Sequence, residues 1–579
     1  MGLPPSCCAA SSGSCCSTFG LGKGETAAHN IIHLVVQLLR RFRLLFALLL
    51  LTTCALAQEP SDSKPPAPSQ FHGRLLLVLP FENRTTVRGL DWVDEAFPDV
   101  LNRRLDSAGF LTIGRGDRLY AFDHLGLPSS LQPSRAMTIR LAQMLDVDYV
   151  VFGRFTLVNN QLTATAQILD VSALRLQKPV VQQGQASHLL DVINSLAWQV
   201  TRRLDPTDNV EESTFLAADG KLHTDAFEHY IQGVVAPSPD RAIPLLQQAV
   251  QLAPHFNPAL LALGLAYFSD EDYNRAATTL GRLPINSPQA LRADFYRGLA
   301  FFYTGNYRSA EDAFAFVRNR LPLPEVVNNE GVAAARRGKN SAAFFRQAIA
   351  LDPRDSNYHF NLAVALWRQK DASGALKQIE ECLKLSPDDS EAQSFEARLR
   401  HPVPPRPDPD PGHAIKNPDD QGPLERIKRT YDEAGFRQAA FELEQVQEMR
   451  LASMPPAKRA AALVRDGDQF FQRGLVLEAE REYRKALSAD ANSALAHAGL
   501  AAVRERDGDP KGARQEAKLS IGISPNVPAW LVLARLDLQA NHLSAAAQDV
   551  SQALKIDPES ADAKGIRLAL AKRGQQLPQ

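Results

Sequence analysis

The stretch LALGLAYFSDEDYNRAATTLGRLPINSP, residues 261–288, decides the fold because it comes back twice. YRGLAFFYTGNYRSAEDAFAFVRNRLP (296–322) and FNLAVALWRQKDASGALKQIEECLKLSP (360–387) carry the same residue types in the same order. Gly264, Tyr267, Ala276, Leu280 and Pro288 become Gly298, Phe301, Ala310, Phe314 and Pro322, each 34 residues on. A further 65 residues on stand Ala363, Leu366, Ala375, Ile379 and Pro387, and the shorter copy NNEGVAAARRGKNSAAFFRQAIALDP (328–353) fills the interval. Such a period describes a helical hairpin. Small residues sit where its two helices touch, large ones fill the groove, and proline ends the second helix.

A degenerate copy around Tyr230, Ala242, Ala249 and Pro254 opens the array, which makes about five repeats over 223–400. A second block follows: Ala479, Tyr483 and Ala486, then Ala513, Ala517 and Pro525, then Trp530, Leu533, Ala546, Ala553 and Pro558. These are three repeats, and ADAKGIRLALAKRG (561–574) reads as a helix covering the last apolar face. The set resembles the tetratricopeptide repeat. The resemblance implies an all-α solenoid in two blocks that holds proteins or peptides in its concave face, with no cofactor and no catalysis. HPVPPRPDPDPGHAIKNPDDQGP (401–423) separates the blocks as a Pro/Asp-rich linker no helix can cross. Residues 424–452 are expected to form a helical pair at the head of the second block, 424–575.

Upstream, 72–205 changes character. RLLLVLPF is a short buried strand, GLDWVDEAFPDVLNRRLDSAG a helix stopped by Gly109, and FLTIG a second strand. A helix capped by Ser134 follows, then two β-rich runs hinged at Asn159-Asn160, a hairpin signal. RLQKPVVQQGQA is a candidate strand and HLLDVINSLAWQVTRRL a closing helix. The reading is an α/β domain, a small sheet with flanking helices. The order of strand, LPFEN, helix, YVVFGRF, hairpin and ILDV resembles the TolB amino-terminal domain and the related CsgG and FlgO-type domains. That resemblance implies an envelope-assembly module rather than an enzyme.

Composition narrows the function classes. Sixty-four basic and 65 acidic residues give a formal charge of −1, so no basic excess points to nucleic acid. Five of the six cysteines (Cys7, Cys8, Cys15, Cys16 and Cys54) precede residue 58, and only Cys382 lies beyond. Arg40, Arg41 and Arg43 before LLFALLLLTTCALA give 1–57 the form of a secretory leader, followed by a Pro/Ser linker at 58–71. Three fates are open to the leader: cleavage after Ala57, retention as an anchor with IIHLVVQLL, or lipidation at Cys54. Met137 is the next methionine, so a mis-assigned start is a further option. The expected location is the periplasm or envelope of a Gram-negative bacterium, with inner-membrane anchoring as the alternative.

The search for chemistry finds no HExxH, GxSxG or Walker A pattern, and the scattered histidines, His223 and His229 among them, make no ligand set. Glu82 and Asn83 follow a buried strand and are the candidate ligand loop. Asp94, Glu95 and Asp99 are read as the solvated face of the first helix. Arg115-Gly116-Asp117 is read as a turn after the second strand, and Cys382 as a buried small hydrophobe. Most of Tyr267, Phe268, Phe301, Phe302, Tyr303 and Trp367 are expected in the core, with one or two on the concave surface. The reading is an exported adaptor that binds partners through its superhelix. The alternative is a small-ligand sensor in the α/β domain with the solenoid as relay.

Overall fold

The computed structural model describes residues 75–128, 132–208, 210–217, 222–401, 423–431 and 446–577. The leader, Cys54, the Pro/Ser linker and nearly all of the Pro/Asp-rich linker lie outside the described residues. Among the described residues no helix is long and apolar enough to cross a membrane.

The amino-terminal part is a mixed sheet between helices. Its strands are β1 (Leu75–Val78), β2 (Glu82–Asn83), β3 (Leu111–Thr112), β4 (Tyr149–Val158), β5 (Gln161–Asp170), β6 (Arg175–Leu176) and β7 (Val180–Gln185). The order β3-β1-β4-β5-β6 puts β1 in parallel register with β3 (Leu75↔Leu111) and β4 (Leu77↔Val150), while β4 and β5 pair antiparallel. β2 joins β4, and β7 joins β5. Asn159 and Asn160 turn the hairpin at φ 50° and 63°, as a two-residue type I′ turn needs.

The four residues of β1 are all apolar because helices cover both faces. Leu76 and Val78 join the core with Phe97 and Val100 of α1 (Val93–Ser107). Leu77 and Leu79 face the other way, with Ala121 and Phe122 of α2 (Arg115–His124) and Leu141 of α3 (Arg135–Met144). Ser134 caps α3 by accepting from the Met137 N–H. The first face is completed by Ile193 and Leu196 of α4 (Leu189–Leu204). Phe81, after Pro80 ends the strand, stacks on Phe97 at 4.1 Å. Gly153 of β4 leaves that ring its room, since a Cβ there would lie 2.7 Å from Phe81 Cδ1.

Two expectations for this region are corrected. Arg115, Gly116 and Asp117 open α2 rather than a turn, because Gly114 is extended (ψ 161°) and Asp117 sits in the first turn, where the helix dipole favours an acid. Nor do the acids of α1 face solvent. Glu95 accepts from Arg118 Nη2 at 2.5 and 2.6 Å, and Asp99 accepts from the Tyr230 hydroxyl at 2.8 Å. Burial pushes the Asp94 carboxyl up to about 6. The reason is packing: α2 brings Arg118 to Glu95, and the helix Thr224–Val235 brings Tyr230 to Asp99 and Phe227 edge-on to Trp92 at 6.2 Å.

Beyond it the chain runs as helical hairpins. The amino-terminal array pairs Thr224–Val235 with Pro239–Leu252, Asn257–Ser269 with Tyr273–Leu280, Ala290–Tyr303 with Tyr307–Arg318, Pro324–Arg336 with Ala342–Leu351, and Ser356–Arg368 with Ala372–Leu385, then adds Ser390–Arg400. The carboxy-terminal array pairs Pro456–Gln472 with Val476–Ala489, Ala494–Arg506 with Pro510–Ile523, and Val527–Gln539 with Leu543–Ile556, then adds Ala561–Lys572. The small residues Ala276, Ala310, Ala375, Ala479, Ala486, Ala513 and Ala546 are fully buried between paired helices. Gly264 and Gly298 are buried too, and a Cβ on Gly298 would lie 2.7 Å from the Phe314 ring. Pro288, Pro322, Pro387, Pro525 and Pro558 are exposed between hairpins, and Trp530 is half-buried. Cys382 is buried, and burial pushes its thiol up to about 11.

The short connection inside every hairpin but the first repeats a left-handed residue: Glu271, Gly305, Gly338 and Lys370 in the first array, Gly474, Gly508 and Asn541 in the second. Where a non-glycine side chain sits, its Cβ crowds the following carbonyl. The segment before the first array is seated on the second. Arg504 Nη1 donates to Thr214 Oγ1 at 3.0 Å, Arg484 to Glu211 at 2.8 Å, and both arginines reach the enclosed Glu480. Arg481 donates to the Ser107 carbonyl at the end of α1, at 2.5 Å.

Two stability outcomes follow from these environments. Lys370→Gly is expected to raise the urea midpoint, with a gain of about 0.5–1 kcal/mol, because Lys370 is exposed at φ 65° and glycine removes the crowding. Asp549, pushed up to about 7 by burial and by the neighbouring Asp537, is the second. Its folded value exceeds the unfolded one, so its ionisation costs stability as pH rises from about 4 towards 8. Asp549→Asn is expected to be more stable than the parent at pH 8, with the difference closing by about pH 4 in thermal melts.

Candidate functional site

The first-of-pair helices of the amino-terminal array carry amides where a hairpin core wants apolar residues. Helix Pro324–Arg336 reads PEVVNNEGVAAAR, and Asn361 lies in the next first-of-pair helix, 33 residues after Asn328. Asn328, Asn329 and Asn361 are each 0% exposed. Buried amides are costly unless bonded, and the partner here is another stretch of the same chain.

That stretch is 423–431, PLERIKRTY, and it corrects the helical pair expected at 424–452. Residues 423–431 are extended rather than helical; 446–452 are helical, and 432–445 lie outside the described residues. The Arg426 N–H donates to Asn361 Oδ1 at 2.6 Å, and its carbonyl accepts from Asn361 Nδ2 at 2.7 Å and Asn328 Nδ2 at 3.1 Å. Two residues on, the Lys428 N–H donates to Asn329 Oδ1 at 2.8 Å and its carbonyl accepts from Asn329 Nδ2 at 2.7 Å. The amides also orient one another, since Asn361 Nδ2 donates to Asn328 Oδ1 at 2.7 Å.

Side-chain seats flank this ladder. The Glu425 side chain is 0% exposed and ion-pairs with Arg368 and, at 3.6 Å, with Arg336. Arg426 lies over the Phe360 ring at 3.6 Å and bonds Asp389 (2.5 and 2.9 Å) and Glu391 (2.8 and 3.1 Å). The Arg426 bonds hold the Asp389 carboxyl below its ordinary value. Ile427 packs on the cluster containing Val332 and Leu366. Lys428 pairs with Asp355 and lies over Tyr358. Arg429 reaches Tyr303 (5.4 Å) and Phe268 (6.0 Å), and Tyr431 reaches Phe295 (5.1 Å). Residue 426 meets the later helices and 431 the earlier one, so the segment runs antiparallel to the order of the hairpins.

The arrangement has two separable powers. The amides grip a main chain whatever its side chains, and the flanking seats select an acid, a base, an aliphatic residue and a second base in that order. Among the aromatics expected near the concave surface, Phe268 and Tyr303 meet the segment; Tyr267 is buried, and Phe301, Phe302 and Trp367 are half-buried. Glu82 and Asn83 lie elsewhere, on β2. Glu82 accepts from Arg84 at 2.8 Å, and Asn83 Oδ1 accepts from the Thr85 N–H and hydroxyl at 2.9 and 2.7 Å. No group of three or more metal-ligating side chains occurs among the described residues. Sequence reasoning missed the three asparagines. The available signal was an amide pair inside a Val/Ala-rich helix, answered by another amide one repeat later.

Comparison with known proteins agrees with the repeats. One tetratricopeptide repeat family model matches residues 238–296, and a second matches 329–390. No curated protein matches the chain. Among solved structures, MamA residues 41 to the end from Desulfovibrio magneticus RS-1 is 19% identical over 29% of this chain and 99% of its own, with a TM-score of 0.28. A thermophilic TPR protein from Thermus thermophilus is 19% identical over 30% of this chain and 98% of its own (TM-score 0.24). The LpoB carboxy-terminal domain from Salmonella enterica is 20% identical over 20% and 83% (TM-score 0.18).

The amide ladder is open to a direct check. Asn361→Ala removes two of the three bonds to the main chain of residue 426, each worth about 0.5–1.5 kcal/mol, including the one that binds its N–H. Hydrogen exchange at the Arg426 amide is expected to quicken by about tenfold or more, while amides of helix Tyr307–Arg318 keep their parental rates.

Proposed function

We propose that the chain is a non-catalytic adaptor that holds an extended segment of a partner protein in the concave face of its amino-terminal array. The observation that carries this reading is the amide ladder, which satisfies the main chain at residues 426 and 428. The ladder addresses main-chain groups, so it would accept another extended chain in place of residues 423–431. Tetratricopeptide repeats support a protein-interaction scaffold, and stacked hairpins expose long concave surfaces of this kind.

The two arrays act as separate blocks in this reading, with the sheet region docking to an envelope complex as its resemblance to TolB-type domains implies. The basic and apolar leader supports export to the periplasm or envelope of a Gram-negative bacterium. Retention as an inner-membrane anchor or lipidation at Cys54 are its membrane-associated forms. The ligand-sensor alternative has less behind it, because Glu82 and Asn83 make their hydrogen bonds within their own loop.

The test is purification of the tagged full chain from native envelope, alongside Asn329→Ala/Asn361→Ala. Partners recovered with the parent and depleted with the double variant are expected. Identical partner sets would move the binding function away from this groove.

A further inference from the structure

The occupant of the groove comes from the chain itself, and its chemistry describes what else fits there. Resting on the adaptor reading, we propose that residues 423–431 are a resident stand-in for the groove's partner-supplied ligand. That ligand is an extended protein segment with the same order of acid, base, aliphatic residue and base, and it displaces them.

Three observations carry this. First, the segment is bonded as a ligand would be. Its main chain at 426 and 428 is satisfied by side-chain amides, not by a helix or a sheet ladder. Second, only Ile427 and Tyr431 of the segment, both half-buried, pack on the apolar cores beneath it. The hairpins close on their own residues, such as Phe345 against Val332 and Leu362, or Phe360 against Ile379 and Phe395, while Leu424, Arg429 and Thr430 remain exposed. Third, each charged seat has an opposite charge and a defined place. Arg336 and Arg368 enclose the acid, Asp389 and Glu391 take the first base over Phe360, and Asp355 takes the second beside Tyr358. Vacated, the groove would exchange these main-chain bonds and ion pairs for water, so it is refilled by this extended chain or by another of like chemistry.

Tethering gives the resident segment its advantage. A segment linked to its own groove acts at an effective concentration in the range of mM, which a free peptide has to exceed. Weakening the resident alone is therefore expected to expose the intrinsic affinity of the groove, because apparent affinity is reduced by the fraction of grooves already filled.

The experiment uses the full chain and a fluorescein-labelled synthetic peptide, PLERIKRTY. Glu425→Ala/Arg426→Ala weakens the resident and leaves every groove residue in place. This variant is expected to bind the peptide about tenfold to a hundredfold more tightly than the parent. Adding Asn329→Ala/Asn361→Ala is expected to return binding to the parental level or below, with unchanged circular dichroism as the check on folding. A peptide with its Glu and first Arg exchanged is expected to bind at least about tenfold more weakly. Equal affinity of parent and variant overturns the proposal, and so does a folded Glu425→Ala/Arg426→Ala chain that takes up no peptide. A parental dimer that becomes monomeric in that variant also overturns it, in favour of exchange of 423–431 between two copies. If the peptide fails while envelope partners still depend on Asn329 and Asn361, the stand-in is wrong and the adaptor reading stands; if partner dependence fails as well, both fall.

Discussion

An extended chain buried outside a sheet must find a partner for an N–H and a C=O at every second residue, and this array meets that demand with asparagine. One asparagine carries a donor and an acceptor in a single planar group, so Asn361 serves both main-chain groups of residue 426, as Asn329 does for 428. Residues two apart in an extended chain are separated by about 6.7 Å, so amides from neighbouring helices must converge closely. Small residues make that convergence possible. Gly331 lies three residues after Asn328 in the same helix, and a Cβ there would stand 2.8 Å from Phe344 Cβ and 2.9 Å from the Phe345 ring. The helix rests on those side chains through glycine, which fixes the rotation that turns Asn328 and Asn329 into the groove.

Charge then sets register. Both arrays seat a connecting segment around an enclosed glutamate and two arginines, with the roles exchanged. In the amino-terminal array the seated chain brings Glu425 and the helices bring Arg336 and Arg368. In the carboxy-terminal array the helices bring Glu480, Arg484 and Arg504, and the arginines reach out to Glu211 of the seated chain. Such enclosed pairs add little net stability, because desolvation consumes most of the attraction. Breaking one by removing a single partner costs about 3–5 kcal/mol. Around residues 423–431 their effect is to penalise any shift of the seated chain by one residue, since alternate residues of an extended chain point to opposite sides.

How much was legible in the sequence follows the same division. The hairpins were readable because their determinants are local and periodic: small residues between paired helices recur at the interval of the fold, as from Ala276 to Ala310. The strand Leu75–Val78 and the Asn159-Asn160 turn were readable for like reasons, a run of apolar residues and a pair of residues that tolerate positive φ. Readings of exposure failed where a distant element arrives. Glu95 and Asp99 look like surface acids until Arg118 and Tyr230 are placed beside them. The groove failed for a stronger reason: the three asparagines and the residues they bind are 65 to 99 positions apart, with no periodic signal connecting them.

A helix is the local expectation for residues 424–431, because leucine, glutamate, arginine, isoleucine and lysine are adequate helix formers. Local preference and tertiary seat therefore disagree here, whereas elsewhere in the arrays they agree. Such a conflict is expected where a segment has two places to be, one held by its neighbours and one free of them. In the extended form the segment takes five main-chain hydrogen bonds from the groove. Once out of the groove, the segment has nothing that keeps it extended. The same groove is then left with amides that water covers and that an extended chain fits with paired donor and acceptor, so the two halves of the contact differ in what they need. The groove fits an extended occupant; the occupant does not intrinsically prefer to be extended. A competing chain that prefers the extended form would pay less to enter, and this difference in ordering cost is what lets an outside segment compete with one that is permanently attached.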